Sequence, residues 1–455
     1  MPKAGRKMPG QWLKWLEGEV ALWKNEGIID DTQARNIMRR YPQTGEETAR
    51  GSRLITLLSV MGALLLGVGV ILFFAANWQV MPKWLKVGIV LGSILLAYGT
   101  GYWLAFEKGN YPRVGRALIF LGTVLYGSGI WLIAQIFHIN AHYPNGVLFW
   151  VLGIIPVVLV CRSLSVLVEA SLLLTLWTLL EQTGFQHSNL LYLPVFILVM
   201  VVAYKVESQL AVGITLPGLA VWLGIAGILS MRETEAFFFT LFLTAMLGIL
   251  IYITGNVHGI RDELVHMKLP YQLTGLPVFF ISLYLLSFRV LADASDNIFQ
   301  EGISYPPFFL AALLTIIAGI AAGGIYVHTK SRHNKRIIRE NIFLIMAAAL
   351  LPVIMVFAGM IGEGVFVAAV NILLFACIIA VVVIGYSNRE PEWINIGIVF
   401  FVLDVIARYF DFFWDMLPKS LFFMAGGALL LIGGTLLERN RRKVIQGMKV
   451  NSYEA

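Results

Sequence analysis

Fourteen long apolar stretches, running from Arg53 to the basic tail, constrain this chain more than anything else in it. A bilayer core about 30 Å thick takes roughly 20 apolar residues of α-helix to cross. The chain meets that condition repeatedly. It therefore reads as all-α: a polytopic integral membrane helical bundle of about 14 transmembrane helices (12–14), preceded by a small N-terminal cytoplasmic helical hairpin. The expected spans are 54–76, 84–105, 114–137, 145–162, 164–181, 190–206, 210–230, 235–255, 272–291, 307–328, 340–360, 363–386, 392–413 and 418–437. The fourth to sixth are short and closely joined, so one of them is a candidate re-entrant or buried segment.

Composition supports this reading. Charged residues make up 13% and hydrophobic residues 58% of the 455, whereas a soluble domain carries about 25% charge. The length thus describes one bundle with appendages: residues 1–50 as a cytoplasmic amphipathic segment, 51–438 as the bundle, 439–455 as a basic cytoplasmic tail. The net charge of +7 points to no nucleic acid, because the basic residues sit in short loops at alternate ends of the spans. Cys161 and Cys377 both lie in apolar stretches and imply no disulfide framework. The first fifty residues are too charged for the apolar core of a signal peptide, and Arg53–Ala76 is long enough to remain as a span.

Orientation follows from the bias of Lys and Arg between loops. With the N-terminus inside, the inner loops hold Lys108, Arg113 and Arg116, then Arg162, Lys205, Arg261 and Lys268. Further along they hold Lys330, Arg332, Lys335, Arg336 and Arg339, then Arg389, and the tail adds Arg439, Arg441, Arg442 and Lys443. The outer loops hold little beyond Lys83, Arg232 and Lys419, and the acidic loop around Asp293, Asp296 and Glu301 falls outside. The expected location is a bacterial cytoplasmic (inner) membrane with both termini cytoplasmic.

Residues 11–42 read as two short amphipathic helices. Trp12, Leu13, Leu16, Val20 and Leu22 supply one apolar stripe. Gly27 can end the first helix and Asp30 or Asp31 can cap the second, which carries Ala34, Ile37 and Met38 and stops before Pro42. Such a hairpin is too small to bury a core alone. It serves either as a lid on the inner face of the bundle or as a module for partner docking or self-association.

Three passages carry a resemblance. The helical prelude reads Trp23-Lys24-Asn25-Glu26-Gly27-Ile28-Ile29, with Gln33 following. The first span ends Ala75-Ala76-Asn77-Trp78, and the third ends Ile133-Ala134-Gln135-Ile136-Phe137-His138-Ile139. Over residues 11–165 the chain resembles the predicted membrane-protein family catalogued as domain of unknown function 2157. Arg408-Tyr409-Phe410-Asp411, then Leu417, Ser420 and a Gly-rich last span, looks like the ending of that family and its relatives. Residues 165–390 match only in hydropathy. The resemblance implies a polytopic membrane fold and location, and no activity.

Ionisable residues inside a span cost at least about 2.5 kcal/mol each at the bilayer centre, and so mark candidate functional positions. Asp404 and Arg408 are four residues apart on one helical face, acid before base, the favourable order. Asp411 lies one turn further. The Asp404–Arg408 pair is either a self-neutralising staple to neighbouring helices or a proton- or anion-linked site facing a cavity. Asn77, Gln135, His138 and Glu181 gather at the same outer level, where they either line an external vestibule or reach headgroups and water. Glu169 lies roughly two turns into its span, as a proton relay or a satisfied structural carboxylate. His138 and His142 have the i,i+4 spacing of a metal pair, but Pro144 follows and no third ligand is near in sequence, so no metal is expected.

Gly88-x-x-x-Gly92 and Gly319-x-x-x-Gly323 are small-residue faces suited to close helix contact. Pro156, Pro194, Pro217, Pro277 and Pro352 lie in or near spans, where Pro can kink a helix. No phosphate-binding loop, His-Glu-x-x-His or Gly-x-Ser-x-Gly motif occurs, so neither nucleotide nor cofactor is expected. The sequence is best read as a transporter-like or lipid- or small-solute-handling protein with an outward-facing polar pocket. The alternatives are a non-catalytic scaffold or envelope-stress component, working through partner contacts or membrane lipids, and an intramembrane enzyme.

Overall fold

The computed structural model describes residues 10–39, 80–109, 111–139, 142–230, 234–288, 307–331, 335–361 and 363–413, with parts of 423–439. The chain divides into two units, 1–86 and 87–455.

In the first unit, α1 (Gly10–Asn25) and α2 (Asp31–Arg39) form the expected hairpin. Gly27 takes φ +73°, a left-handed conformation open to glycine, and the Ile28 N–H turns back to the Trp23 carbonyl at 2.9 Å. This closes α1 as a glycine C-cap. Asp30 caps α2: its Oδ1 accepts from the Thr32 and Gln33 N–H groups at 2.8 and 2.6 Å. Gln33 Oε1 in turn accepts the Asp30 N–H at 3.0 Å, completing a capping box with Asp in the Ser/Thr position. Lys24 and Asp31 bridge the corner at 2.5 Å. Leu16 and Val20 are buried, while Leu22 and Ile28 are exposed.

The second unit is a bundle whose helices are α3 (Lys83–Tyr102, beginning just before the division and continued by a π-helical turn, Trp103–Glu107), α4 (Pro112–Ile136), α5 (Pro144–Cys161) and α6 (Leu164–Phe185). Next come α7 (Tyr192–Lys205), α8 (Gln209–Ser230), α9 (Thr234–His258) and, after a 3₁₀ turn at Asp262–Met267, α10 (Lys268–Leu286). The last are α11 (Pro307–Lys330), α12 (Lys335–Ile361), α13 (Glu363–Asn388) and α14 (Pro391–Phe413). Among the described residues, 11 helices are long and apolar enough to cross a membrane. The expected span 190–206 is α7, only 14 residues long. At 1.5 Å per residue it reaches about 21 Å, short of a bilayer core. Span 54–76 lies outside the described residues, and 418–437 is described only in short helical pieces.

The core is organised around α9, which packs on α8, α10, α11 and α12. Its closest crossing is with α10, at Gly248 and Gly275. A Cβ on Gly248 would stand 2.6 Å from the Phe279 nitrogen, and one on Gly275 2.7 Å from the Gly248 carbonyl oxygen. The two backbones touch there, which only glycine permits. Gly319 and Gly323 of α11 seat on α9 in the same manner, facing Leu250 and Ile253. Among the described residues nothing comes within 4 Å of a Cβ placed on Gly88 or Gly92. Helix α10 also packs on α8, α13 and α14. The α9–α10 pair is thus the hub on which polar side chains from several helices converge.

Candidate functional site

Near the junction of α9 and α10, a carboxylate is wholly enclosed. Glu340, five residues after the start of α12 at Lys335, lies about 8 Å along that helix and has no exposed surface. The Asn388 amide, at the end of α13, donates to its Oε1 at 2.7 Å. The Tyr252 hydroxyl of α9 donates to Oε2 at 3.2 Å, and the Lys268 ammonium at the head of α10 stands 3.9 Å from the same oxygen. Gln272, one turn along from Lys268, donates its amide to the Tyr252 hydroxyl oxygen at 2.8 Å and to Asn256 Oδ1 at 2.9 Å. Arg339 donates to Asn388 Oδ1 at 3.2 Å. Trp393 closes over Tyr252 edge-on, with ring centroids 5.2 Å apart. Asn341 ties the assembly to α11 through the Gly324 carbonyl at 3.0 Å.

Four helices therefore meet on one carboxylate. Hydrogen bonds in a low-dielectric interior polarise one another, and here they fix the carboxylate, although Asn256 Nδ2 and Asn341 Oδ1 at the edge of the network have no hydrogen-bond partner among the described residues. Glu340, Tyr252, Gln272, Asn256 and Asn388 are all buried. None of them is among the site residues expected from sequence. Glu340 sits at a helix boundary beside a basic loop, and Lys268 reads as a loop lysine. The available signal was weak: the expected spans 235–255 and 272–291 leave Asn256 and Gln272 at their ends, and only the helices of the structure, Thr234–His258 and Lys268–Leu286, enclose these amides, where they are costly unless paired.

The second polar site lies at the far end of α10. Arg408 Nε is 3.6 Å from Asp404 Oδ1, and one guanidinium nitrogen donates to Ser287 Oγ at 2.6 Å, another to the Ser287 carbonyl at 3.3 Å. Asn371 of α13 donates to that carbonyl at 3.1 Å. The guanidinium also lies over the Phe288 ring, 5.0 Å from its centroid, within cation–π range. Asp404 and Arg408 share a face, and their pairing extends across helices to α10 and α13. The side chain of Asp411 is outside the described residues.

The remaining sequence candidates fall elsewhere. Glu181 is buried at the end of α6 and pairs with His142 Nε2 at 2.7 Å. The imidazole stacks against Phe185, with ring centroids 3.9 Å apart. His142 thus has a carboxylate partner, while His138 ends α4 exposed, with φ 54°. Among the described residues no group of three His, Cys, Asp or Glu side chains is placed to hold a metal. Glu169 reaches across to α4. The Thr123 hydroxyl has one proton and two acceptors in reach, Glu169 Oε2 at 2.5 Å and the Phe120 carbonyl at 2.6 Å. Gln135 is exposed on α4, and Asn77 lies outside the described residues. Helix α6 packs on α4, α5, α7 and α8, whereas α14 packs on α13 and α10. The structure thus gathers Glu181 with His142, and Asp404 with Arg408, as two separate groups.

Comparison with curated proteins and with solved structures finds no match for this chain. Residues 21–167, from the end of α1 to the first turn of α6, match the family model described as predicted membrane protein (DUF2157), in agreement with the many apolar spans of the fold.

Proposed function

We propose that this membrane protein is a transporter-like carrier of a small solute or lipid in a bacterial cytoplasmic membrane, with both termini cytoplasmic. The observation that carries the reading is the enclosed Glu340 carboxylate with its Lys268, Tyr252 and Asn388 partners. An ionisable group within a membrane helix is costly, and such residues recur on substrate, ion and proton pathways. A bundle built only to pack against lipid has no use for one. Asp404 and Arg408 supply a matching polar closure at the other end of α10. In this reading the Glu340 network closes the cytoplasmic end and the Asp404–Arg408–Ser287 group the outer end. Opening one while the other holds would expose a path along α10 to one side at a time. Gln135, His138, Glu181, Asp411 and Asn77 belong to the outer polar surface, and Glu169, near the start of α6 and bonded to Thr123 of α4, to the packing of those two helices, rather than to this path.

The test is a comparison of extracted lipids and metabolites between a strain lacking the protein and the same strain complemented with wild type, Glu340→Gln or Asp404→Asn. A carrier predicts at least one compound whose level changes on deletion, returns with wild type, and fails to return with Glu340→Gln at equal membrane abundance. Full restoration by both variants overturns the proposal.

A second reading is a scaffold that meets partners through the hairpin of residues 11–42. It is favoured by the closure of Asp404 and Arg408 on each other and on Ser287, which resembles a structural staple. Capture of a stoichiometric partner that is lost on deleting residues 11–42, with unchanged metabolite profiles, is its expected outcome.

A further inference from the structure

The short helix α7 leaves a groove on the flank of the bundle between itself, α8, α9 and the start of α10, with a volume of about 520 Å³. Phe196, Met200 and Tyr204 at one spacing of four, and Ile197, Val201 and Lys205 at another, make its α7 wall. From Phe196 to Lys205 the wall rises about 14 Å at 1.5 Å per residue. One leaflet of a bilayer core is about 15 Å deep, half of roughly 30 Å. Except at one end the lining is almost wholly aliphatic and aromatic. At that end stand Lys205, the only charged residue in the lining, and the hydroxyls of Tyr204, Tyr271 and Thr254. These hydroxyls are ordered: the Tyr204 hydroxyl is 2.7 Å from both His258 Nε2 and the Tyr271 hydroxyl, and the Thr254 hydroxyl donates to the Leu250 carbonyl at 2.8 Å.

From this we infer that the groove seats one acyl chain of an anionic phospholipid, with the phosphate at the Lys205 ammonium. The depth matches one leaflet, the wall is apolar where the chain would lie, and the single cation is where a headgroup would emerge. A neighbouring groove between α8 and α10, about 640 Å³, has an apolar wall with no charged residue in its lining. It serves as an internal control, since it offers a chain the same apolar contact without a headgroup anchor. The inference is independent of the Glu340 network and of transport.

The full-length protein is reconstituted into phosphatidylcholine vesicles containing a minor share of phosphatidylglycerol, re-extracted, and its retained lipid counted by native mass spectrometry. Retained phosphatidylglycerol should exceed its share in the vesicle. A basic side chain near the membrane surface contributes about 1 kcal/mol to anionic lipid attraction, so Lys205→Gln should lower that enrichment about fivefold, and Lys205→Arg should keep it. Leu219→Trp, which fills the groove, should reduce retention of both lipids, whereas Ile281→Trp in the neighbouring groove should leave the enrichment unchanged. Enrichment unaffected by Lys205→Gln, or absent in wild type, overturns the inference. So does loss of enrichment in Ile281→Trp equal to that in Lys205→Gln. If Leu219→Trp fails to fold, the Lys205→Gln and Lys205→Arg pair still decides, because Lys205 is exposed.

Discussion

Glu340 and Asp404 are both buried carboxylates at opposite ends of one helix hub, and they are neutralised in different ways. Asp404 has its cation on its own helix, one turn away. Glu340 has its ammonium 3.9 Å distant on another helix and depends as much on Asn388 and Tyr252 as on charge. The first is a local pair that reaches outward to Ser287. The second exists only when α9, α10, α12 and α13 are assembled. A local pair can form as soon as its helix does. A distributed network adds cooperativity between helices, and its loss should be felt by all four.

The contrast is tested most sharply by Glu340→Leu. It removes the carboxylate that faces the Lys268 ammonium and accepts from Asn388 and Tyr252. Breaking a buried pair from one side costs about 3–5 kcal/mol, and we expect that loss in the unfolding midpoint of the purified protein. Glu340→Gln keeps an acceptor for Asn388 and a group facing Tyr252, so its cost should fall to about 1–2 kcal/mol. Equal costs for the two variants would mean that charge alone holds the site together, and the contrast with Asp404 would collapse.

Arg408→Leu comes next. Polar pairs in membrane bundles contribute less than the hydrocarbon argument suggests, and this one keeps 18% and 12% side-chain exposure. A loss of about 2 kcal/mol is expected, with most of it recovered in the joint Arg408→Leu, Asp404→Asn variant. Recovery marks a self-neutralising pair. A double variant as unstable as the single would show that Ser287, not Asp404, is the partner that matters. His142→Ala should be smaller again, about 1 kcal/mol, because its imidazole is a third exposed and what it loses is one partly exposed hydrogen-bond contact.

The two sites also mark what a sequence can disclose. The i,i+4 spacing of Asp404 and Arg408 is written in the order of residues, and the structure pairs them. The membrane-spanning helices are equally legible, because length and apolarity suffice. Gly27 was readable for the same reason, since capping is decided within one turn, and the cap of α2 was narrowed to Asp30 or Asp31, of which the structure uses Asp30. The Glu340 network was not readable. Its members are separated by up to 136 positions between Tyr252 and Asn388 (388 less 252), and nothing local says which faces of α9, α10, α12 and α13 meet. The Gly248–Gly275 crossing that brings α9 and α10 together has no spacing signature either, since each glycine stands on a different helix. The groove beside α7 was half legible. The shortness of the 190–206 stretch was apparent, but not which neighbours it would leave uncovered.

Lys24 and Asp31 provide the reference state in water for both buried sites. They form a close ion pair at 2.5 Å, with half or more of each side chain exposed. Water and salt screen such a pair, and holding two side chains in one geometry costs entropy, so it should add little to stability. Lys24→Met should therefore leave the unfolding midpoint unchanged, in contrast to Arg408→Leu. What should move is titration. The hydrogen bond from the Lys24 ammonium, and then its charge, hold the Asp31 carboxyl below its ordinary value of 3.8. A carboxyl lowered in the folded state contributes above its unfolded value, and that contribution is lost as pH falls through the lowered one. In Lys24→Met the Asp31 midpoint, followed by carboxyl-carbon NMR, should rise toward 3.8. A midpoint unchanged by the substitution would show that the hairpin corner is held by the Asp30 cap and Gly27 alone, with the ion pair a bystander.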